Sequence, residues 1–363
     1  MSYIDSADYS DRAPAPSWDC EQRLTNPYYS MYYSKPCTQD CLLDARHWGS
    51  YDTFQPRRKR PRPAGLRYEV TVCVAEIAQA RSLLNPCIVL ASDKEVGIGD
   101  VTAEIAKKQD FLSFDWNVMI AGDDVAPAMD IRRYARTEMQ NSIRRKEHLS
   151  LDRVIAIVRE AVCKRRLEII EAICLMPIGW TLEEFRSRAG QTLPEHIYAG
   201  ILHQMHTCDL PTIELLVSGF DHLEVPHLFT IGWDGIERVH DDLGFYAIGS
   251  GQRNALTMLF YRKVNKFTPL NDALYFAFEA KAAGESAPGV GTETDMRVQI
   301  PNHFRGERLS DNEIAALRLI YNTLKPRDLD VNQRQSINDF ETLARMKHTF
   351  DQRVQRSDQS EGG

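Results

Sequence analysis

Two short runs, VTVCVA at residues 70–75 and CIVLASD at 87–93, constrain this chain more than any other feature. Both are rich in Val, Ile, Thr and Cys, and the β-branched members fit a pleated surface best. Asn85-Pro86 stands just before the second run, so the order predicts two strands joined as an antiparallel pair. Neither run alternates cleanly between apolar and polar residues, as a strand with one wet face would. Each strand must therefore be covered on both sides, which calls for a layered fold. In the first run Thr71, Cys73 and Ala75 share one face, and Val70, Val72 and Val74 share the other.

Further along, blocks of strands alternate with blocks of helices. A third strand is predicted over 116–121, and Pro127 suits the first position of a helix running to about Arg145. Ser150 opens a second helix, with Asp152 in its first turn and Val154, Ile155, Ile157, Val158, Ala161 and Val162 as an apolar stripe. Pro177-Ile-Gly179 ends it, Thr181 and Glu184 have capping-box spacing, and another helix follows Pro194 over 195–205. Strands return at 213–220 and 227–233, with Asp234-Gly235 as the turn into 236–239. A strand over 245–251 ends in a glycine turn, helices follow at 255–263 and 270–283, and a strand at 296–300 closes the pattern. This is an α+β order and not the alternation of a parallel doubly wound sheet. Residues 309–352 are expected to form helices packing beyond that unit. The expected organisation is a tail over 1–66, a domain over 67–305 and a helical extension over 306–363 with a frayed end.

Composition removes several function classes. No apolar run approaches the roughly 20 residues that a membrane helix needs. The start, MSYIDSADYSDRAPAP, lacks the basic and apolar parts of a secretory signal, so a cytoplasmic location is expected. Eight scattered cysteines predict free or buried thiols and not a disulfide framework. Cys37 and Cys41 have no second pair nearby, and His203, His206 and Cys208 have no matched partner, so no metal site is expected. Asp123-Asp124 and Asp241-Asp242 read as loop turns, and Gly249-Ser-Gly251 alone is too weak a pattern for phosphate, so no cofactor is expected. A net charge of −7 argues against nucleic acid. The basic run PRRKRPRP at 56–63 is the local exception. It reads as the solvated end of a disordered tail, or else as a nuclear-localisation or nucleic-acid patch.

The blocks VTVCVA, CIVLASDKEVGIGD, VTAEIAKK, VMIAGDD, LLVSGFD, LFTIGWDG and YAIGSGQRNAL come in this order around two helical pairs. Over about residues 68–300 the chain thereby resembles the proteasome subunit family and its bacterial peptidase relatives, within the N-terminal nucleophile hydrolases. The resemblance implies a four-layer αββα sandwich, with about 169–200 as a helical insertion, and an oligomer of identical or related subunits. In active members a threonine side chain attacks an amide, and its own freed α-amine is the base. That pairing works because an α-amine titrates near 7.7 to 8.0. Thr71 is the nearest match to the nucleophile, or else Val70 holds that position and Thr71 the next one.

By the same resemblance Asp93 matches the family aspartate and Lys108 its lysine, Gly122 the backbone N–H donor to an acyl oxygen, and Ser250 a serine near the nucleophile. Glu285 stands where an aspartate is usual and Pro288 where a serine is. Other departures bear on activity. Seventy residues precede Thr71, the family's glycine before the processed threonine is here Val70, and the connection over 76–86 is longer than the family's hairpin. Two functions are compatible with this sequence. One is a threonine-type hydrolase acting on peptide or amide bonds after removal of the N-terminal segment. The other is a catalytically inactive assembly or binding protein on the same scaffold.

Overall fold

The structure, a computed structural model, describes residues 71–79, 86–94, 96–98, 101–103, 108–122, 125–303, 306–324 and 331–349. All of these lie in the unit Gly65–Gly363. The basic run at 56–63, the tail, Cys20, Cys37, Cys41, Val70 and Asp123-Asp124 lie outside the described residues.

In chain order the strands are β1 (Cys73–Gln79), β2 (Pro86–Asp93), β3 (Val96–Ile98), β4 (Val101–Ala103), β5 (Gln109–Phe111), β6 (Trp116–Gly122), β7 (Ile213–Phe220), β8 (Pro226–Gly232), β9 (Glu237–Val239), β10 (Phe245–Ile248), β11 (Thr294–Gln299) and β12 (Glu307–Arg308). β1 and β2 pair antiparallel from Cys73↔Ser92 to Gln79↔Pro86, so β1 runs four residues past Ala75. One sheet has the order β10-β1-β2-β11-β12 and a second the order β5-β6-β7-β8-β9, while β3 and β4 form a ribbon of their own. Every pairing among the described strands is antiparallel. The second sheet follows chain order as a meander up to β9, and β10 then crosses to the edge of the first beside β1.

The helices are α1 (Val125–Arg144), α2 (Leu151–Ile170), α3 (Leu182–Thr192), α4 (Glu195–Thr207), α5 (Gln252–Tyr261), α6 (Leu270–Gly284), α7 (Asp311–Leu324) and α8 (Val331–Asn338), and residues 341–349 are also helical. α1 begins two residues ahead of Pro127, so that proline occupies its third position. Ser150 caps α2 by accepting from the Arg153 N–H. Thr181 and Glu184 complete the capping box of α3, each side chain bonded to the other's backbone. Between α2 and α3 the backbone widens into a π-helix over Glu171–Leu175, tightens into a 3₁₀ turn over Met176–Ile178, and stops at left-handed Gly179.

Strand periodicity sorts the apolar side chains between clusters. Cys73, Ala75, Ile77, Ile88 and Leu90 of the first sheet meet Met119, Ala121, Leu216, Phe220 and Leu228 of the second. The alternate positions Val72, Val74, Ala78, Val89 and Ala91 pack against α5 and α6. On the second sheet Val118, Ile120, Leu215 and Phe229 pack against α1 and the α2 stripe. Each buried Val, Leu, Ile or Phe contributes about 1.5–3 kcal/mol, so a strand buried on both faces gains from nearly every residue. The face-to-face contact also carries polar ties. Gln109 Nε2 of β5 donates to Ser92 Oγ at 3.0 Å and to the Asp295 carbonyl at 2.9 Å, both in the opposite sheet.

One segment differs from its sequence reading. The helices after 309 do not pack beyond the unit, because Leu309, Leu317, Ile320, Ile337, Phe340 and Met346 belong to the same apolar cluster as α6. Buried Glu313 ties them together, accepting from Ser310 N and Oγ at 2.7 and 2.8 Å and from Thr342 N and Oγ1 at 2.8 and 2.9 Å. The helical segment after α2 has an apolar cluster of its own, from Ile170 to Leu210.

Candidate functional site

The register of the first hairpin builds the site. Because Cys73 pairs with Ser92, the next residue out, Asp93, faces the lead-in to β1, and its N–H donates to the Val72 carbonyl at 3.2 Å. Asp93 Oδ1 accepts from Thr71 Oγ1 at 2.9 Å and from the Val72 N–H at 3.0 Å. Its Oδ2 accepts from Lys108 Nζ at 2.6 Å and from the Gly291 N–H at 3.4 Å. Asp93 is fully buried, and Thr71 and Lys108 are 3% and 6% exposed. Lys108 comes from the other sheet. Its carbonyl accepts from Ile120 N at 3.2 Å, which fixes its backbone beside β6 while the ammonium crosses to Asp93.

Gly249-Ser250-Gly251 wraps the start of the same strand. Ser250 Oγ accepts from the Thr71 N–H at 3.3 Å and donates to the Thr71 carbonyl at 3.1 Å. Gly249 has φ +93°, and a Cβ there would sit 2.4 Å from Thr71 Cγ2. The glycines thus serve close backbone approach to Thr71.

Gly122 ends β6, opposite Ile213, and a Cβ there would lie 2.2 Å from the Thr212 carbonyl oxygen. Its strand meets the site through Ile120, whose N–H donates to the Lys108 carbonyl at 3.2 Å and whose carbonyl lies 3.8 Å from Cys73 Sγ. Among the described residues no hydrogen bond joins Gly122 to Thr71. Glu285 caps the C-terminus of α6 and bonds to Lys281 Nζ at 2.7 Å and to both terminal nitrogens of Arg318 at 2.8 and 2.6 Å. It reaches Asp93 only through intermediates. Lys281 Nζ also donates to the carbonyls of Gly291 and Thr292 at 2.9 and 3.1 Å, and Gly291 donates its N–H to Asp93. Pro288 lies in the turn after α6, ahead of left-handed Gly289.

Lys281, Gly291 and Arg318 are the members that sequence reasoning passed over. A signal existed for the first: LNDALYFAFEAKAAG is apolar on nearly every face, so a lysine within it must be buried and paired. Burial pulls the Lys281 ammonium below the usual lysine range, against the hydrogen bond and charge of Glu285 and the charge of Asp93. Arg318 had no such signal, because it arrives from α7, well after the strands.

The neighbouring thiol is not a competing nucleophile. Burial pushes Cys73 up to about 12, although the Lys108 cation and a hydrogen bond with Thr71 work the other way. Asp241, one of the paired aspartates, accepts from Leu228 N and bonds His227 Nδ1, both at 2.7 Å. Among the described residues no three His, Cys, Asp or Glu side chains could share a metal ion, and His203, His206 and Cys208 form no such group. Among them, too, no helix is long and apolar enough to cross a membrane.

The arrangement holds one hydroxyl between a carboxylate and a lysine, with a serine at the same residue's backbone nitrogen. If the bond before Thr71 were hydrolysed, the nitrogen now bonded to Ser250 would become an α-amine beside its own hydroxyl. No protein-family model matches the chain, and no curated protein matches it.

Proposed function

We propose that the chain is a proteasome-like, threonine-type hydrolase that cleaves peptide or amide bonds once the Val70–Thr71 bond is cut, with Thr71 as nucleophile and its freed amine as base. The observation that carries this reading is the convergence of buried Thr71, Asp93 and Lys108 and half-buried Ser250 on one hydrogen-bonded cluster, although Thr71 and Ser250 are 179 positions apart. Asp93 orients the Thr71 hydroxyl and holds Lys108, whose charge favours an unprotonated amine and a developing oxyanion. Ser250 keeps the amine in place. A four-layer αββα sandwich is the architecture inferred with this function, supported by one apolar cluster between the sheets and one between each sheet and its helices. A cytoplasmic oligomer of identical or related subunits completes the reading.

Intact-mass analysis of the purified chain, followed by labelling with an electrophilic β-lactone, tests it. A species beginning at Thr71 that takes one label, at a rate rising with pH through about 7–8, is the expected result. Thr71→Ala abolishes the label. A chain that stays full length and unlabelled under all conditions overturns the proposal.

A second reading, an inactive assembly protein on this scaffold, draws on Glu285. Its carboxylate is held by both Lys281 and Arg318. Those bonds leave it serving the turn after α6 and not Thr71. Under this reading both the parent and Thr71→Ala stay full length and have the same oligomeric state by light scattering.

A further inference from the structure

The segment between α2 and β7 carries chemistry that the Thr71 site does not use. α2 ends in the π-helix Glu171–Leu175, and a π-turn takes in more residues than an α-turn. Side chains after Ile170 are therefore turned away from the Val154–Val162 stripe. Cys174 and Leu175 enter the segment's own apolar cluster, with Phe185, Ala189 and Met205. Cys208 reaches that cluster from the other end, as the residue that stops α4. Its thiol donates to the Met205 carbonyl at 3.4 Å. Cys174 and Cys208 thus share one apolar cluster, Cys208 acts on the Cys174 thiol, and both thiols are free.

No other pair of described cysteines is so placed. Cys73 and Cys87 sit on adjacent strands but face different clusters, one between the sheets and one on the helix side. Cys163 lies under the β8–β9 turn, where a Cβ on Gly235 would meet its sulfur at 3.3 Å.

We propose that Cys174 and Cys208 are a modification site: a dithiol that a peroxide oxidises to an intramolecular disulfide, stapling the first turn of the helical segment to its last. Cys208 is half-buried and Cys174 is 3% exposed, so the oxidant meets Cys208 first. Burial, then the charge of Cys208 and the hydrogen bond to it, hold the Cys174 thiol above its ordinary range, which keeps its proton in place until its neighbour has reacted. Cys208 gives up its proton and its sulfur attacks one peroxide oxygen; the O–O bond breaks, and the departing hydroxide takes that proton and leaves as water, with a sulfenic acid on Cys208. The Cys174 sulfur then attacks the Cys208 sulfur, and the S–O bond breaks with loss of the second water, which carries off the Cys174 proton. Two thiols and one peroxide become one disulfide and two waters. A disulfide here closes the loop over 175–207 between two members of one apolar cluster.

The test uses the full chain and hydrogen peroxide, followed by alkylation in denaturant and trypsin digestion without reductant. The tryptic peptides 167–186 and 189–238 hold Cys174 and Cys208 as their sole cysteines. The expected product is these two peptides joined, two hydrogens lighter than their sum, separated by reductant and absent in Cys208→Ser. A second readout is limited trypsin at exposed Arg186 or Arg188. The nicked, oxidised chain should stay in one piece until it is reduced. Recovery of both cysteines alkylated, of Cys208 over-oxidised with Cys174 alkylated, or of either joined to another cysteine would falsify the assignment. So would a nicked chain that separates without reductant.

Discussion

Asp93 accepts four hydrogen bonds, from Thr71, Val72, Lys108 and Gly291, and so joins two sheets and a loop through one carboxylate. Asp93→Asn takes the counter-charge from a buried lysine. Breaking one side of such a pair costs about 3–5 kcal/mol, and Lys108→Met in the same chain should recover part of that loss, as urea melts of the two single variants and the double variant would show. Glu76 presents the opposite situation. It is fully buried in β1 on the side facing α6, and among the described residues neither carboxyl oxygen has a hydrogen-bond partner. Burial, then the charge of Asp272, pushes its pKa well above the carboxylate range. A folded value above the unfolded one means that its stabilising contribution is full below about pH 4.3 and is lost as pH rises through the folded value. Glu76→Gln cannot titrate, so it should be more stable than the parent near pH 7, with the difference shrinking towards pH 4. Thermal melts across that range decide it, and a parent whose stability stays level from pH 4 to 7 would count against this account.

At the scale of elements, α6 shows how a helix can be apolar on most faces and still carry charge. Glu279 is paired with Arg262 through two bonds of 2.6 and 2.8 Å, and Lys281 is paired with Glu285. Each charge is neutralised within a turn or by the neighbouring helix, which lets the remaining faces pack. The segment carrying α3 and α4 is a different kind of element, since its apolar cluster is its own. Its stability should respond to changes that the rest of the molecule does not register. Thr181→Ala removes one half of the capping box and should cost about 1 kcal/mol. Amide exchange should speed up in 182–207 and remain as before in β1, β2 and β11. Equal acceleration in those strands would mean that the segment is not an independent unit.

For the molecule as a whole, the helices after 309 complete a core and are not an appendage. Leu317 is fully buried in the cluster that holds α6 against β1 and β2. Leu317→Ala should lower global stability by about 2–5 kcal/mol in a single unfolding transition. A separate early transition for 306–349 would restore the picture of an extension packing beyond the domain. Arg318, one residue on, brings the same helix to Glu285 and to the Thr292 carbonyl, so the core that α7 completes also supports the loop beside Asp93. Local chemistry was enough to read much of this molecule. Near-continuous apolar, β-branched runs announced β1 and β2, and Ser150 and Thr181 announced their helices. Such signals act over a few residues and survive in any context. A family resemblance, not local chemistry, pointed to Thr71, Asp93, Lys108, Gly122, Ser250 and Glu285. Other features depend on contacts between distant parts of the chain. That β10 leaves the meander to lie beside β1, that the helices after 309 close the α6 core, and that Glu76 lies buried without a partner follow from packing. No window of neighbouring residues encodes them, because each is settled by which surfaces can be covered together. The sequence by itself determined the strand pair, because β-branched apolar runs act locally, whereas the tertiary structure decided that Thr71, Asp93 and Lys108 meet at its end, through the hairpin register and the reach of Lys108 from beside β6 to Asp93.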